Sequence, residues 1–168
     1  FREIYRGFGV KPSRFQPSPG ALISRLAKGK ELPNVNLAVD IYNAIAVKHQ
    51  LAIGLFDADT LKLPIELRFA NGGEMFQGLG ESKLVSIMKN ELCYFDGRGI
   101  VMARDFNYLD SELTKVDEKT TSILLNVDGN QHCTLSDVEV CLAELESTLQ
   151  KFCGGKLGER VLISAAQE

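Results

Sequence analysis

The sequence predicts an α+β fold, and three observations carry that expectation. Helix-patterned segments open the chain, strand-patterned segments fill its middle, and one further helix and one strand close it, an order unlike a doubly wound parallel sheet. The central segments are separated by Asn-, Asp- and Gly-rich turns of the antiparallel kind. With 168 residues, 45% of them hydrophobic and 24% charged, the chain can bury one sizeable core and is neither disordered nor of low complexity. We expect a single domain over residues 1–168. The first residue is Phe1 and the opening residues already read helical, so the natural chain is expected to start further upstream.

Taken in order, residues 1–8 read as the end of a helix stopped by Gly7 and Gly9. Residues 11–19 form a loop around Pro12-Ser13 and Pro17-Ser18. Ser18 is placed to cap a helix over residues 19–28, with Pro19 at its first position and Gly29 beyond its end. Asn34 is expected to cap a second helix over residues 35–49, whose apolar residues cover most of its circumference and predict burial nearly all round. Asn36, Asp40 and Asn43 interrupt it at i, i+4 and i+7, one stripe of one face.

Strand patterns follow. Residues 52–57 read as a strand and Asp57-Ala58-Asp59-Thr60 as a turn. Residues 65–70 alternate, with Ile65, Leu67 and Phe69 on one face and Glu66 and Arg68 on the other. Asn71-Gly72-Gly73 predicts a hairpin turn, and residues 91–95 and 100–104 a second hairpin about Asp96-Gly97-Arg98-Gly99. Residues 105–121 are a polar surface or site loop, and residues 122–127 an apolar strand. Ser136 and Glu139 read as a capping box opening a helix to about residue 153, with Val138, Leu142, Leu145 and Leu149 in register and Gly154-Gly155 ending it. Residues 161–165 read as a closing strand.

The net charge is -3, with a pI near 5.5, which excludes a protein that coats nucleic acid through bulk positive charge. Residues 1–50 nevertheless carry eight Lys or Arg against three acids, and the remainder 11 against 19. A basic end on an acidic body points to a polyanionic partner; the alternative is the solvated face of the first helices. No segment approaches the ~18 consecutive apolar residues of a spanning helix, so no membrane partner is expected. Cys93, Cys133, Cys141 and Cys153 lack any two-residue spacing and, in their apolar contexts, read as buried free thiols in a reducing cytoplasm. His49 and His132 stand alone, and no phosphate-cradling glycine loop, G-x-S-x-G or H-E-x-x-H occurs, so no metal, cofactor or covalent nucleophile is expected.

Two constellations could carry chemistry. The first is Asn36, Asp40 and Asn43, since a carboxylate on a buried helix needs hydrogen bonds or a partner. It is either a structural knot, with Asp40 capping a loop or pairing with Arg68, or the polar wall of a ligand pocket that Glu66 and Arg68 could join. The second is the segment from Arg104 to Ser111, which concentrates Asn107, Asp110 and two aromatics behind a strand. It reads as a recognition loop or as a polar turn anchored by Phe106. Asp57 with Asp59 reads as an Asx turn, because the rest of a calcium loop is missing.

Several runs carry a family resemblance: residues 5–13 (YRGFGVKPS), Pro17-Ser18, residues 32–36 (LPNVN), Val39-Asp40 with Tyr42-Asn43, residues 54–59 (GLFDAD), and Phe106-Asn107 with Asp110-Ser111. In this order they resemble the freestanding proteins similar to the tRNA-editing domain of the phenylalanyl-tRNA synthetase beta chain, over residues 1 to about 129. The resemblance implies a mainly antiparallel β-sandwich of unusual topology with flanking helices. It also implies activity on, or binding of, aminoacyl-tRNA. Where the synthetase's site has a histidine before its alanine-phenylalanine-aspartate, this chain has Gly54 before Leu55-Phe56-Asp57.

The expected activity is therefore hydrolysis, in trans, of the ester of a mischarged aminoacyl-tRNA. Asp40 or Asp110 would orient water, and Asn36, Asn43 and Asn107 would donate to the amino acid or the oxyanion. Gly54, Asp57, Glu66, Arg68 and Arg104 would line the substrate site, and Arg14, Arg25, Lys28 and Lys30 would meet acceptor-stem phosphates. The alternatives are a non-catalytic module binding tRNA, other RNA or an amino-acid-like metabolite, and an architectural domain of a larger assembly. DNA is not an expected partner, and the sequence leaves the oligomeric state open.

Overall fold

Three layers are stacked in the computed structural model, which describes residues 1–11, 13 and 15–163. The helices are α1 (Arg2–Gly7), α2 (Ser18–Ala27), α3 (Leu37–His49) and α4 (Leu135–Cys153). The strands are β1 (Ala52–Asp57), β2 (Glu66–Phe69), β3 (Met75–Phe76), β4 (Val85–Ser86), β5 (Leu92–Phe95), β6 (Val101–Arg104), β7 (Leu109–Asp110) and β8 (Ile123–Asp128). All pairing is antiparallel: β1 with β8, β3 with β4, and a four-stranded sheet in the order β2-β5-β6-β7. This is the α+β architecture the sequence predicts.

The β1–β8 pair is the middle layer, and its two faces differ as a period of two requires. Ile53, Leu55, Leu125 and Val127 pack against Ile45 and Ala46 of α3 and Cys141 and Leu145 of α4. On the other face Phe56 and Leu124 meet Tyr94, Met102 and Ala103 of the four-stranded sheet. A third cluster, with Phe76, Ile87 and Phe95, fills the space under β3 and β4.

Several local expectations shift. The caps move: Asn36, not Asn34, caps α3 by accepting from Val39 N at 3.0 Å. Thr134 and Asp137, not Ser136 and Glu139, form the capping box of α4. Ser18 lies inside α2, and Pro17 precedes it without a side-chain cap. α3 is not buried all round; Val35 and Leu37 are exposed, because it packs on β1, α2 and α4 and leaves its remaining face to solvent. Residues 66–69 do not show the expected two faces: Arg68 lies over the Phe95 ring, 3.6 Å from its centroid, while Glu66, Leu67 and Phe69 are all exposed.

Asn71-Gly72-Gly73 turns the chain with Gly72 and Gly73 both at φ +94, but it joins no hairpin, since β2 pairs with β5 and β3 with β4. The loop over 105–121 contains the edge strand β7, and residues 161–163 form no strand. Residues 164 and 165 of the expected closing strand lie outside the described residues. The hairpin of β5 and β6, strand β1 and the Asx turn in which Asp57 accepts from Asp59 N follow the sequence reading; all four cysteines are free, but only Cys93 and Cys141 are buried, Cys133 being half-buried and Cys153 exposed. Among the described residues no helix is long and apolar enough to cross a membrane.

Candidate functional site

Cross-strand register builds the site. Tyr94, Ala103 and Asp110 stand opposite one another across β5, β6 and β7, so their side chains share one sheet face. Gly54 stands opposite Asn126 in the β1–β8 pair, on the face turned toward that row. Two residues with little or no side chain, Gly54 and Ala103, thus line the same space between polar neighbours. A cavity of about 210 Å³ opens there. Tyr42 and Asn43 of α3 and Ser18 of α2 close it on one side, and residues 106–110 on the other.

Its polar groups fall into a saturated part and an open part. Asp128 is saturated: Tyr94 Oη donates to it at 2.6 Å, Asn126 Nδ2 at 3.2 Å and Asn107 Nδ2 at 3.4 Å. The Asn107 amide is itself fixed by Tyr5, a fully buried residue of α1 whose hydroxyl donates to Asn107 Oδ1 at 2.8 Å. Burial pushes the Asp128 carboxyl above the usual carboxylate range, with the three donors working against it.

The open part is Asp110 and Asn43. Among the described residues neither side chain has an ion-pair or hydrogen-bond partner, although both line the cavity and Asn43 is only 6% exposed. Burial and then the charge of Asp128 push Asp110 up to about 7. Burial likewise raises the Tyr94 and Tyr42 hydroxyls, so both stay protonated.

The wall over residues 105–110 is held under backbone strain. Asp105 and Phe106 both adopt left-handed conformations, φ +46 and +66, which side chains other than glycine rarely enter. Phe106 N donates to Leu92 O at 2.7 Å, and its ring stacks on Tyr94 at 6.1 Å. Behind the turn, Arg104 makes a bidentate pair with buried Glu91, Nε to Oε1 at 2.8 Å and Nη2 to Oε2 at 3.0 Å. Burial, with the charge of Glu91, brings Asp105 up to about 6 against the pull of Arg104.

Of the residues singled out in the sequence, the structure brings Asn43, Gly54, Asn107 and Asp110 together on this cavity. Asn36 and Asp40 do not line it; Asn36 is the α3 cap, and Asp40 Oδ1 accepts from Val35 N at 2.9 Å. Asp57 is held by Asp59 N and by Thr120 Oγ1, Glu66 and Arg68 bond each other on β2, and Arg104 is occupied by Glu91. Arg25, Lys28 and Lys30 lie exposed at the end of α2, Arg25 donating to the Glu31 carbonyl; Arg14 lies outside the described residues.

Asp128, Asn126, Tyr94, Tyr42 and Tyr5 were missed. The available signal was Asn126 and Asp128 alternating in an otherwise apolar strand, which puts two polar side chains on one face. A wider surface groove of about 640 Å³ passes Lys48, His49 and His132, but acids already match these groups: Glu144 meets the first two and Glu3 lies 3.6 Å from His132. No group of three or more His, Cys, Asp or Glu residues suited to a metal occurs among the described residues.

Comparison with known proteins agrees with this architecture. Residues 1–149 match the B3/4 domain, and the chain belongs to that family. It is similar in fold to the crystal structure of an N-terminal fragment of the phenylalanyl-tRNA synthetase beta-subunit from Pyrococcus horikoshii, with a TM-score of 0.57 and 22% identity. The match covers 68% of this chain and 39% of that one, so the chain spans well under half of that fragment. It is a module resembling a domain of the phenylalanyl-tRNA synthetase beta-subunit.

Proposed function

We propose that this chain is an aminoacyl-tRNA deacylase acting in trans, with the cavity between the sheets receiving the aminoacyl group. The observation that carries this reading is Asp110, a carboxyl that shares a cavity with a second carboxylate, has no side-chain partner among the described residues and is pushed up to about 7 by its burial. A general base works best with a pKa near the working pH. The volume of about 210 Å³ lies below the ~300–1,000 Å³ of sites for drug-sized ligands, and suits an aminoacyl group rather than a nucleoside.

An aminoacyl ester is already activated, so no covalent nucleophile is needed. Asp110 accepts a proton from water as the water oxygen bonds to the ester carbonyl carbon. The second N–H of Asn107, whose first bonds Asp128, donates to the developing oxyanion. The carbon–oxygen bond to the terminal ribose then breaks, and Asp110 returns the proton to the ribose hydroxyl. The exposed Arg25, Lys28 and Lys30 at the end of α2 would meet phosphates of the acceptor stem. The B3/4 family and the synthetase-like fold support an RNA-linked substrate.

The test is single-turnover hydrolysis of a panel of mischarged tRNAs. Asp110→Asn should lower the rate on the preferred substrate by about 10²–10⁴-fold with the fold intact, as for loss of a general base. If no ester is lost faster than in buffer, the deacylase reading fails. A tRNA-dependent melting shift without turnover would favour the binding module instead.

A further inference from the structure

The cavity joins an apolar lining of Leu22, Ile53, Leu79 and Leu109 to aromatic faces and a small set of polar side chains. Asp110 and Asp128 place two carboxyl groups in one hollow, and no Lys, Arg or His lines it among the described residues. Asn126 and Tyr94 spend their donors on Asp128, and so does one N–H of Asn107, whose carbonyl oxygen is taken by Tyr5. Asn43, 6% exposed, has its amide unengaged among the described residues, and Asp110 faces the same space without a partner. Buried polar groups are almost always satisfied, so a side chain this enclosed with no internal partner points to something bound. Among the described residues no cationic side chain offsets the two carboxyl groups in the lining, which disfavours a second anion and favours a cation.

The shape narrows the cation. A primary ammonium has three donors on one atom, and three side chains able to accept line the cavity, Asp110 from β7 and Tyr42 and Asn43 from α3. The stacked Tyr94 and Phe106 rings offer an apolar surface to whatever chain the ammonium carries. We propose that this cavity is a subsite for a free α-ammonium group, held between Asp110 and the Asn43 carbonyl, so that aminoacyl groups blocked on nitrogen are excluded. The identity of the carrier as an aminoacyl ester rests on the deacylase reading; the ammonium site itself does not.

A bound ammonium would leave the second Asp110 oxygen free for the water and would keep that carboxyl ionised. Blocking the nitrogen removes the charge and two of the three donors, and adds an acyl group that a cavity of about 210 Å³ leaves no room for.

The experiment has a binding arm and a turnover arm. In the first, L-alaninamide and L-phenylalaninamide are compared with their N-acetyl counterparts and with magnesium chloride, each up to about 20 mM, by melting shift and by the side-chain amide signals of Asn43. At least one free amide should raise the melting temperature and move the Asn43 signal, while its N-acetyl form and the metal do neither. Asp110→Asn and Asn43→Leu should each weaken that binding by at least ~10-fold, the first being isosteric and so a safeguard if the second fails to fold. Equal binding of an N-acetyl amide, an equal response to magnesium, or no response to any free amide overturns the proposal. In the turnover arm, equal hydrolysis of aminoacyl-tRNA and N-acetyl-aminoacyl-tRNA overturns the ammonium site and leaves the deacylase standing. Amide binding without hydrolysis of any ester does the reverse.

Discussion

Gly54 stands where the structure leaves no room for a side chain. A Cβ at this position would lie 2.3 Å from Asn126 Oδ1 and 2.8 Å from Phe56 Cε2, so the space is taken by the carboxamide across the ladder and by a ring two residues on. Asn126 cannot simply swing away, because its Nδ2 is bonded to Asp128. Its Oδ1 is already buried without a partner. Gly54→Ala should therefore destabilise the protein by about 1–3 kcal/mol through overpacking, read as a lower urea midpoint at unchanged slope. It should also disturb the Asp128 network more than the helical layer, which near-ultraviolet circular dichroism and the Tyr94 signal would report. No change in midpoint would mean that β1 and β8 separate more easily than their register implies. The buried thiols play no part at this scale: burial pushes Cys93 up to about 12 and Cys141 to about 11, so neither supplies a thiolate at neutral pH.

At the scale of elements, the turn between β6 and β7 puts the backbone strain beside the cavity. Two consecutive left-handed residues persist because Phe106 N is bonded to Leu92 O and because Arg104 clamps Glu91 behind them. Arg104→Met leaves Glu91 buried without its partner and should cost about 3–5 kcal/mol in urea unfolding. The double variant Glu91→Leu with Arg104→Met should recover most of that loss, since a packed apolar pair replaces a buried ion pair at little cost. Recovery of stability without recovery of function would show that the pair positions the turn.

This is also the scale at which sequence reading stops. β1, the β5–β6 hairpin and the extent of α4 were legible because periodicity and turn residues are local. Asn43, Asn107 and Asp110 were legible as polar residues in unusual places. The partial burial of Arg68 on an otherwise exposed β2 was not, because a guanidinium stacked on Phe95 satisfies Arg68 in a way no alternation shows. Nor was the cavity, which needs α2, α3, β1, β5, β6, β7 and β8 to converge, and no spacing along the chain encodes that convergence. Asp40 misled for the same reason: its bond to Val35 N is a local feature of a helix start, indistinguishable in sequence from a carboxylate facing a pocket.

For the whole molecule, two populations of carboxyl groups set opposite limits on stability. Burial works against ionisation of Asp96, but the N–H groups of Ile100, Arg98 and Lys62 and the Arg98 guanidinium outweigh it and hold the carboxyl below its usual range. Such a group stabilises the fold above its unfolded pKa and loses that contribution as the pH falls through its lower, folded value. Asp105 and Asp110 behave the other way, with folded values near 6 and 7. The folded state takes up protons on these two before the unfolded chain does, so stability rises as the pH falls from about 8 toward 5 and levels off below their unfolded values. For Asp110 alone the difference between those limits is on the order of 4 kcal/mol at most. Stability should therefore peak near pH 5 rather than at neutrality, which urea unfolding at pH 4, 5.5 and 8 would measure. Asp110→Asn, which cannot ionise, should flatten the rise between pH 8 and 5.5 and raise the midpoint at pH 8, because it removes an unpaired buried charge. A wild-type midpoint as high at pH 8 as at 5.5 would mean that Asp110 already has a cation beside it in the folded protein.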